Sequence, residues 1–150
     1  MAALGANVEF RRFDEHVVGE VVLSAGLTIT EHHVVSFGGL TGDFHPAHMD
    51  APYADRTRFG GRIAHGMLVM SICTGLVNQT DRFEAVAFLG LEWNMLKPVM
   101  IGDTIHARST LISKEPTPSG RHAIVRHNRQ IINQRGELVQ DGVTRILIEV

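Results

Sequence analysis

His65-Gly66-Met67-Leu68-Val69-Met70-Ser71-Ile72-Cys73-Thr74-Gly75-Leu76-Val77 is the stretch that sets the architecture of this 150-residue chain. Met67, Leu68, Ile72, Leu76 and Val77 recur at helical spacing, and Met70, Cys73 and Gly75 fill the gaps between them. So broad an apolar face predicts a long central helix covered on most sides, opening near His65-Gly66 and ending over Asn78-Gln79-Thr80-Asp81.

On the C-terminal side the period changes from helical to alternating. Four stretches rich in β-branched residues read as strands: Val86 to Trp93, Thr104 to Ser113, Arg121 to Ile132 and Glu137 to Glu149. Turn residues separate the four, at Gly102-Asp103, Pro116-Thr117-Pro118-Ser119-Gly120 and Gln134-Arg135-Gly136. Alternation is clearest in Ile105, Ala107, Ser109 and Leu111 and in Ile146, Ile148 and Val150.

On the N-terminal side, residues 1–20 read as an irregular lead-in, and Val21 to Ile29 as a strand interrupted at Ala25-Gly26. Thr30 is a good N-cap for a helix over Glu31 to Gly38, stopped by Gly38-Gly39, with Glu31 favoured in the first turn. Ala51-Pro52-Tyr53-Ala54-Asp55 can make one helical turn. A strand, a central helix and an antiparallel meander predict an α+β fold, a curved sheet wrapped around one helix. Such a sheet has open edges, which pairing with a second copy could close.

Composition bounds the rest. The length fits one domain, residues 1–150, with an ordinary apolar core. A net charge of −2, with no run of Lys or Arg longer than two, argues against nucleic acid or an anionic membrane as partner. The one cysteine, Cys73, excludes an intramolecular disulfide, suits a reducing compartment and reads as a packed helix residue. No apolar run approaches the roughly 18 residues that span a bilayer, and Met1 to Gly5 lack the features of a signal peptide. The expected compartment is the cytoplasm.

Chemistry concentrates in Thr41-Gly42-Asp43-Phe44-His45-Pro46-Ala47-His48-Met49-Asp50. Pro46 lacks an N–H and restricts His45 to extended conformations, so the stretch is expected not to be regular helix. Five extended residues span roughly 16 Å, so Asp43 and His48 meet only if the segment curls. Curled, they form an acid/base pair suited to handling one water. Each residue also has a plainer reading. Asp43 can cap a turn, and His48 alone suits a surface or core position. His65 can brace the helix start, Gly66 can be an ordinary helix-start glycine, and Thr74 can simply pack. His32-His33 offers no i, i+4 pair of ligands, and Asp43, His45 and His48 lack an evident open-site geometry, so no metal is expected.

Gly42-Asp43-Phe44-His45-Pro46-Ala47-His48, followed by Phe59-Gly60-Gly61-Arg62-Ile63-Ala64-His65-Gly66-Met67-Leu68, resembles the MaoC-like (R)-specific enoyl-CoA hydratases and dehydratases, the hydratase 2 group. The resemblance implies a hot-dog fold. It also implies hydration of a trans-2-enoyl-CoA to an (R)-3-hydroxyacyl-CoA, or the reverse dehydration. On this likeness Asp43 and His48 hold the water, and the backbone N–H of Gly66 binds the thioester carbonyl. Thr74 matches a serine that lines the site, and Lys97, in Leu96-Lys97-Pro98-Val99, matches a segment near the thioester arm. With His45, His65 and Arg62 these make up the substrate-binding candidates; Arg62 and Lys97 can equally be solvated cations. The family's loop usually reads Gly-Asp-x-Asn-Pro-x-His, so His45 stands where Asn is usual, which bears on the hydrogen bonds bracing the loop. No cofactor is required. The expected partners are an acyl-CoA, or an acyl chain on a carrier protein, and a second copy in a homodimer or larger homo-oligomer. Thioesterase activity and a non-catalytic thioester-binding module are the competing readings of the same fold.

Overall fold

Alternating apolar residues turn one face of each long strand inward, and a helix fills the concavity this creates. The computed structural model describes residues 10–150. In chain order it contains β1 (Val21–Leu23), β2 (Leu27–Thr28), α1 (Glu31–Thr41), α2 (Pro46–Met49), α3 (Ala51–Asp55), α4 (Gly66–Asp81), β3 (Ala85–Met95), β4 (Thr104–Pro116), β5 (His122–Asn133) and β6 (Leu138–Glu149). The strands form one antiparallel sheet in the order β1-β4-β5-β6-β3, with β2 also paired to β4. This is the hot-dog arrangement. No described helix is long and apolar enough to cross a membrane.

The inward residues are those that alternation marks. Ile105, Ala107, Ser109 and Leu111 of β4 are buried, as are Ala123, Val125 and Ile131 of β5. Ile105, Ala107 and Ile131 form the main core with Leu68, Val69, Cys73 and Val77 of α4, while Leu111, Ala123 and Val125 form a second cluster with Ile148. Each fully buried Val, Leu or Ile contributes roughly 1.5–3 kcal/mol, so the helix–sheet contact dominates stability. Burial pushes the Cys73 thiol up to about 11.

Four expectations need correction. The meander holds for β4-β5-β6, but β3 pairs with β6 rather than β4, because the chain crosses the sheet between β3 and β4. The first helix runs through Gly38-Gly39 to Thr41 and ends at Gly42, whose φ of +78° supplies the left-handed turn. Gly38 lies inside the helix in a tight spot that suits a residue without a side chain: a Cβ there would come 2.4 Å from Met49 Cε and 3.2 Å from the Asp43 carbonyl oxygen. The central helix is covered on one side only. It packs against β4, β1 and α1, so Met67, Ser71, Thr74 and Asn78 stay exposed beside a gap towards β3. The lead-in contains a 3-10 turn at Phe13–Glu15, and His16 stacks on Phe83 with ring centroids 3.6 Å apart; its residues 1–9 lie outside the described residues.

A polar cluster is buried at the far end of α4. Asp81 lies 2.5 Å from Arg129 Nη1, accepts from Ser109 Oγ at 3.3 Å, and sits 3.9 Å from His127. Burial, then the Arg129 charge, lowers His127 to about 3. Unfolded, His127 has its ordinary value near 6.5, so between the two the unfolded chain binds a proton that the native state does not. This contribution to stability is present above pH 6.5 and is lost as the pH falls. Burial lowers His16 and His48 in the same sense, while Asp81 is pushed up and works the other way. The urea midpoint is therefore expected to drop between pH 6.5 and 4.5, and to drop less in His127→Phe. An equal drop in both proteins rules out His127 as its source.

Candidate active site

The end of α1 and the start of α4 hold the site between them. Thr41 Oγ1 donates to the carbonyl of Phe37 and accepts from the Asp43 N–H at 3.3 Å, tying the turn after Gly42 to the helix. His45 is the N-cap of α2: its Nδ1 accepts from the Ala47 N–H at 3.2 Å, and Pro46 occupies the first turn where no N–H is needed. Where the sequence suggests only a curled loop, His48 therefore sits on a short helix. His45 also does the bonding expected of an Asn at that position, so the loop keeps its brace.

His48 Nδ1 lies 2.8 Å from the Ile63 carbonyl, and His65 Nε2 lies 2.9 Å from the Asp43 carbonyl. A carbonyl only accepts, so both of these nitrogens carry the proton. That leaves a lone pair on His48 Nε2. Burial lowers the His48 pKa below 6.5, against the pull of its bond to Ile63, and keeps the ring neutral at pH 7. The His48 and His65 rings stack with centroids 3.8 Å apart and planes at 28°. Asp43, His48 and His65 bring one donor atom each within 4.8 Å of one another, so Asp43 and His48 do meet. These three, rather than Asp43, His45 and His48, are the group that could hold a metal ion. Stacked rings hold their in-plane lone pairs in nearly parallel planes, which suits shared coordination poorly.

A cavity of about 210 Å³ opens beside His48 and is lined by Arg58, Gly66, Met95, Lys97 and Gln140. Gly66 is the first residue of α4, where the N–H has no partner within the helix and the helix dipole is positive. Met95 packs into the space its missing side chain leaves: a Cβ would come 2.2 Å from Met95 Sδ, so any larger residue displaces that side chain. A second cavity, about 330 Å³ and mostly apolar, lies further along α4 among Cys73, Thr74, Val77, Phe88, Trp93 and Arg129.

The remaining sequence candidates are placed differently. Lys97 reaches the first cavity but pairs with Glu137 at 2.8 Å. Arg62 is bound to Glu31 at 2.6 Å and lines neither cavity. Thr74 lines the second cavity, its hydroxyl donating to the Met70 carbonyl at 3.3 Å. Sequence reasoning missed Arg58 and Gln140. Arg58 stands directly before the second motif. Gln140 shares the strand parity of Ile146 and Ile148, and a polar residue on that apolar face was the available signal.

A family model described as "MaoC like domain" matches residues 13–129. Protein MaoC of Klebsiella aerogenes is 36% identical over 103 residues, 67% of this chain but only 31% of that protein. An (R)-specific enoyl-CoA hydratase of Aeromonas caviae is 32% identical over 110 residues, covering 73% of this chain and 78% of its own. A solved structure titled monoamine oxidase regulatory protein, from Archaeoglobus fulgius, superposes with a TM-score of 0.86 at 36% identity, covering 93% of this chain and 95% of that one.

In a pH titration followed by imidazole nitrogen NMR, His48 is expected to titrate below 6.5 and to carry its neutral-form proton on Nδ1. A protonated Nε2 in the neutral form contradicts the arrangement described.

Proposed function

This chain belongs to the MaoC-like family, and on that premise we propose that it is a hydratase/dehydratase interconverting a trans-2-enoyl-CoA and an (R)-3-hydroxyacyl-CoA. The observation that carries the proposal is a neutral His48 with an open Nε2, whose ring lies within 4.8 Å of an oxygen of the exposed Asp43 carboxylate, at the edge of a cavity shared with the start of α4. In the hydration direction a water lies between Asp43 and His48. The pair draws a proton from it as its oxygen bonds to C3, and electrons move through C2 onto the thioester oxygen. The Gly66 N–H and the α4 dipole stabilise that oxygen, an effect whose loss typically costs about 3–4 kcal/mol. A proton returned from the pair to C2 completes the addition. Dehydration is the same path reversed.

The surroundings fit a large anionic thioester. Arg58 and Lys97 put two cations at the reaction cavity, suited to the phosphates of coenzyme A or of a carrier arm. The apolar cavity beside Thr74 offers room for the acyl chain. Val86, Phe88, Leu89 and Leu91 are exposed on β3, an edge strand of the sheet. A second copy covering this edge is the proposed assembly, a homodimer.

Crotonyl-CoA mixed with the protein is expected to lose its enoyl-thioester absorbance and give the R product. Asp43→Asn should slow this by about 10²–10⁴-fold, the usual contribution of a positioned acid or base. Release of free thiol without hydration turns the assignment to thioesterase. Binding without turnover across short, long and branched enoyl thioesters leaves a non-catalytic module. A second expectation concerns Thr74: Thr74→Phe, by filling the apolar cavity, should lower kcat/KM for an eight-carbon enoyl-CoA several-fold more than for crotonyl-CoA. Equal losses on both substrates remove that cavity from the acyl path.

A further inference from the structure

Gln140 lies on β6, buried, and both ends of its amide are engaged. Trp93 Nε1 donates to Gln140 Oε1 at 2.9 Å, and Gln140 Nε2 donates to the Gly66 carbonyl at 3.0 Å. An indole N–H can only donate, so Trp93 fixes which end of the amide faces α4. The Gly66 carbonyl is at the same time a first-turn helix carbonyl, which the helix itself supplies with a donor from residue 70. The bond from Gln140 is thus additional to what the helix needs. Burying an amide at this site is costly compared with an apolar residue unless every polar atom is met, and here the partners have been supplied.

We propose that Trp93 and Gln140 are positioning residues that hold the Gly66 end of α4 so that its free N–H points into the reaction cavity. The proposal rests on the oxyanion role given to Gly66 above and adds the device that aims it. Three features converge on this one residue. Met95 Sδ occupies the space beside the Gly66 Cα, Gln140 grips its carbonyl from the sheet, and Gln140 and Gly66 line the same cavity. The stretch before α4 is anchored through Ile63, Ala64 and His65, with the Ala64 N–H on the Val99 carbonyl at 2.8 Å and His65 Nε2 on the Asp43 carbonyl at 2.9 Å, and the bond from Gln140 extends this anchoring to Gly66 itself. The gripped carbonyl belongs to the Gly66–Met67 peptide, so fixing it limits the rotation about the Gly66 Cα through which the neighbouring His65–Gly66 peptide, carrying the N–H, could tilt. A small misalignment of an oxyanion donor is felt mainly in the transition state, hence in kcat. Gln140 touches no reacting atom on this account; it acts through Gly66.

The test compares Gln140→Leu, Gln140→Glu and Trp93→Phe with the wild type. In Gln140→Leu the enoyl hydration kcat is expected to fall about tenfold with KM within about twofold, the split that marks lost transition-state stabilisation. Gln140→Glu keeps the shape. Protonated, its carboxyl can still donate to Gly66; ionised, it repels that carbonyl. Its kcat should therefore fall as pH rises through the carboxyl pKa, a step absent from the wild type. His48, Arg58 and Lys97 share the cavity in both proteins, so the wild-type profile subtracts their effect. Trp93→Phe frees the amide to flip and should lower kcat less than Gln140→Leu.

A kcat within twofold of wild type in Gln140→Leu overturns the proposal, as does a rise in KM alone or a Gln140→Glu profile that parallels the wild type. If Gln140→Leu does not fold, the other two variants decide. The Gly66 amide signal in NMR gives a readout independent of turnover: its shift and exchange rate should change in Gln140→Leu while distant amides do not. If the wild type hydrates no enoyl thioester, the functional reading fails on its own, and the Gly66 signal still decides whether Gln140 holds the helix start.

Discussion

One hydrogen bond joins the two sequence motifs into one place: His65 Nε2 donating to the carbonyl of Asp43. His65 is 2% exposed, so its N–H has no water to turn to, and the bond is costly to lose. It fixes the backbone of Asp43 and directs its own ring against the face of His48. A second bond, from His48 to the Ile63 carbonyl, closes the arrangement from the other side. Two backbone carbonyls thus decide where two imidazole protons reside. The tautomers, and with them the chemistry open to His48, follow from chain path alone.

How much of this could be read in the sequence depended on the range of the interactions. The course of α4 and of the four long strands was legible because periodicity is a local record of which side faces the core. Gly38 was not, because a glycine pair near a helix end looks like a stop; the close approach of Met49, which suits a glycine there, comes from another element. The place of β3 beside β6 was also hidden, since pairing is decided by a crossover that leaves no local mark. The side of α4 left bare followed from the same crossover.

The site divides along the same line. Two motifs 22 residues apart at Asp43 and His65 signalled the meeting of Asp43, His48 and the start of α4. The positions of Arg62 and Thr74 depended on partners that no motif names, Glu31 for one and the second cavity for the other. His45 is a case where structure resolves a departure from the usual residue. An imidazole nitrogen can accept a backbone N–H as an amide oxygen does, so the cap survives the change of side chain.

Cys73 has a practical side that its place in the core does not suggest. At 1% exposure and with its thiol pushed up to about 11, it is almost wholly protonated near neutral pH, with roughly one molecule in a thousand as thiolate at pH 8. The folded protein is therefore expected to react slowly with disulfide reagents. In an assay that colours free thiols, most of an early signal then reports a cleaved thioester rather than the chain, and the buried position also disfavours oxidative cross-linking between copies.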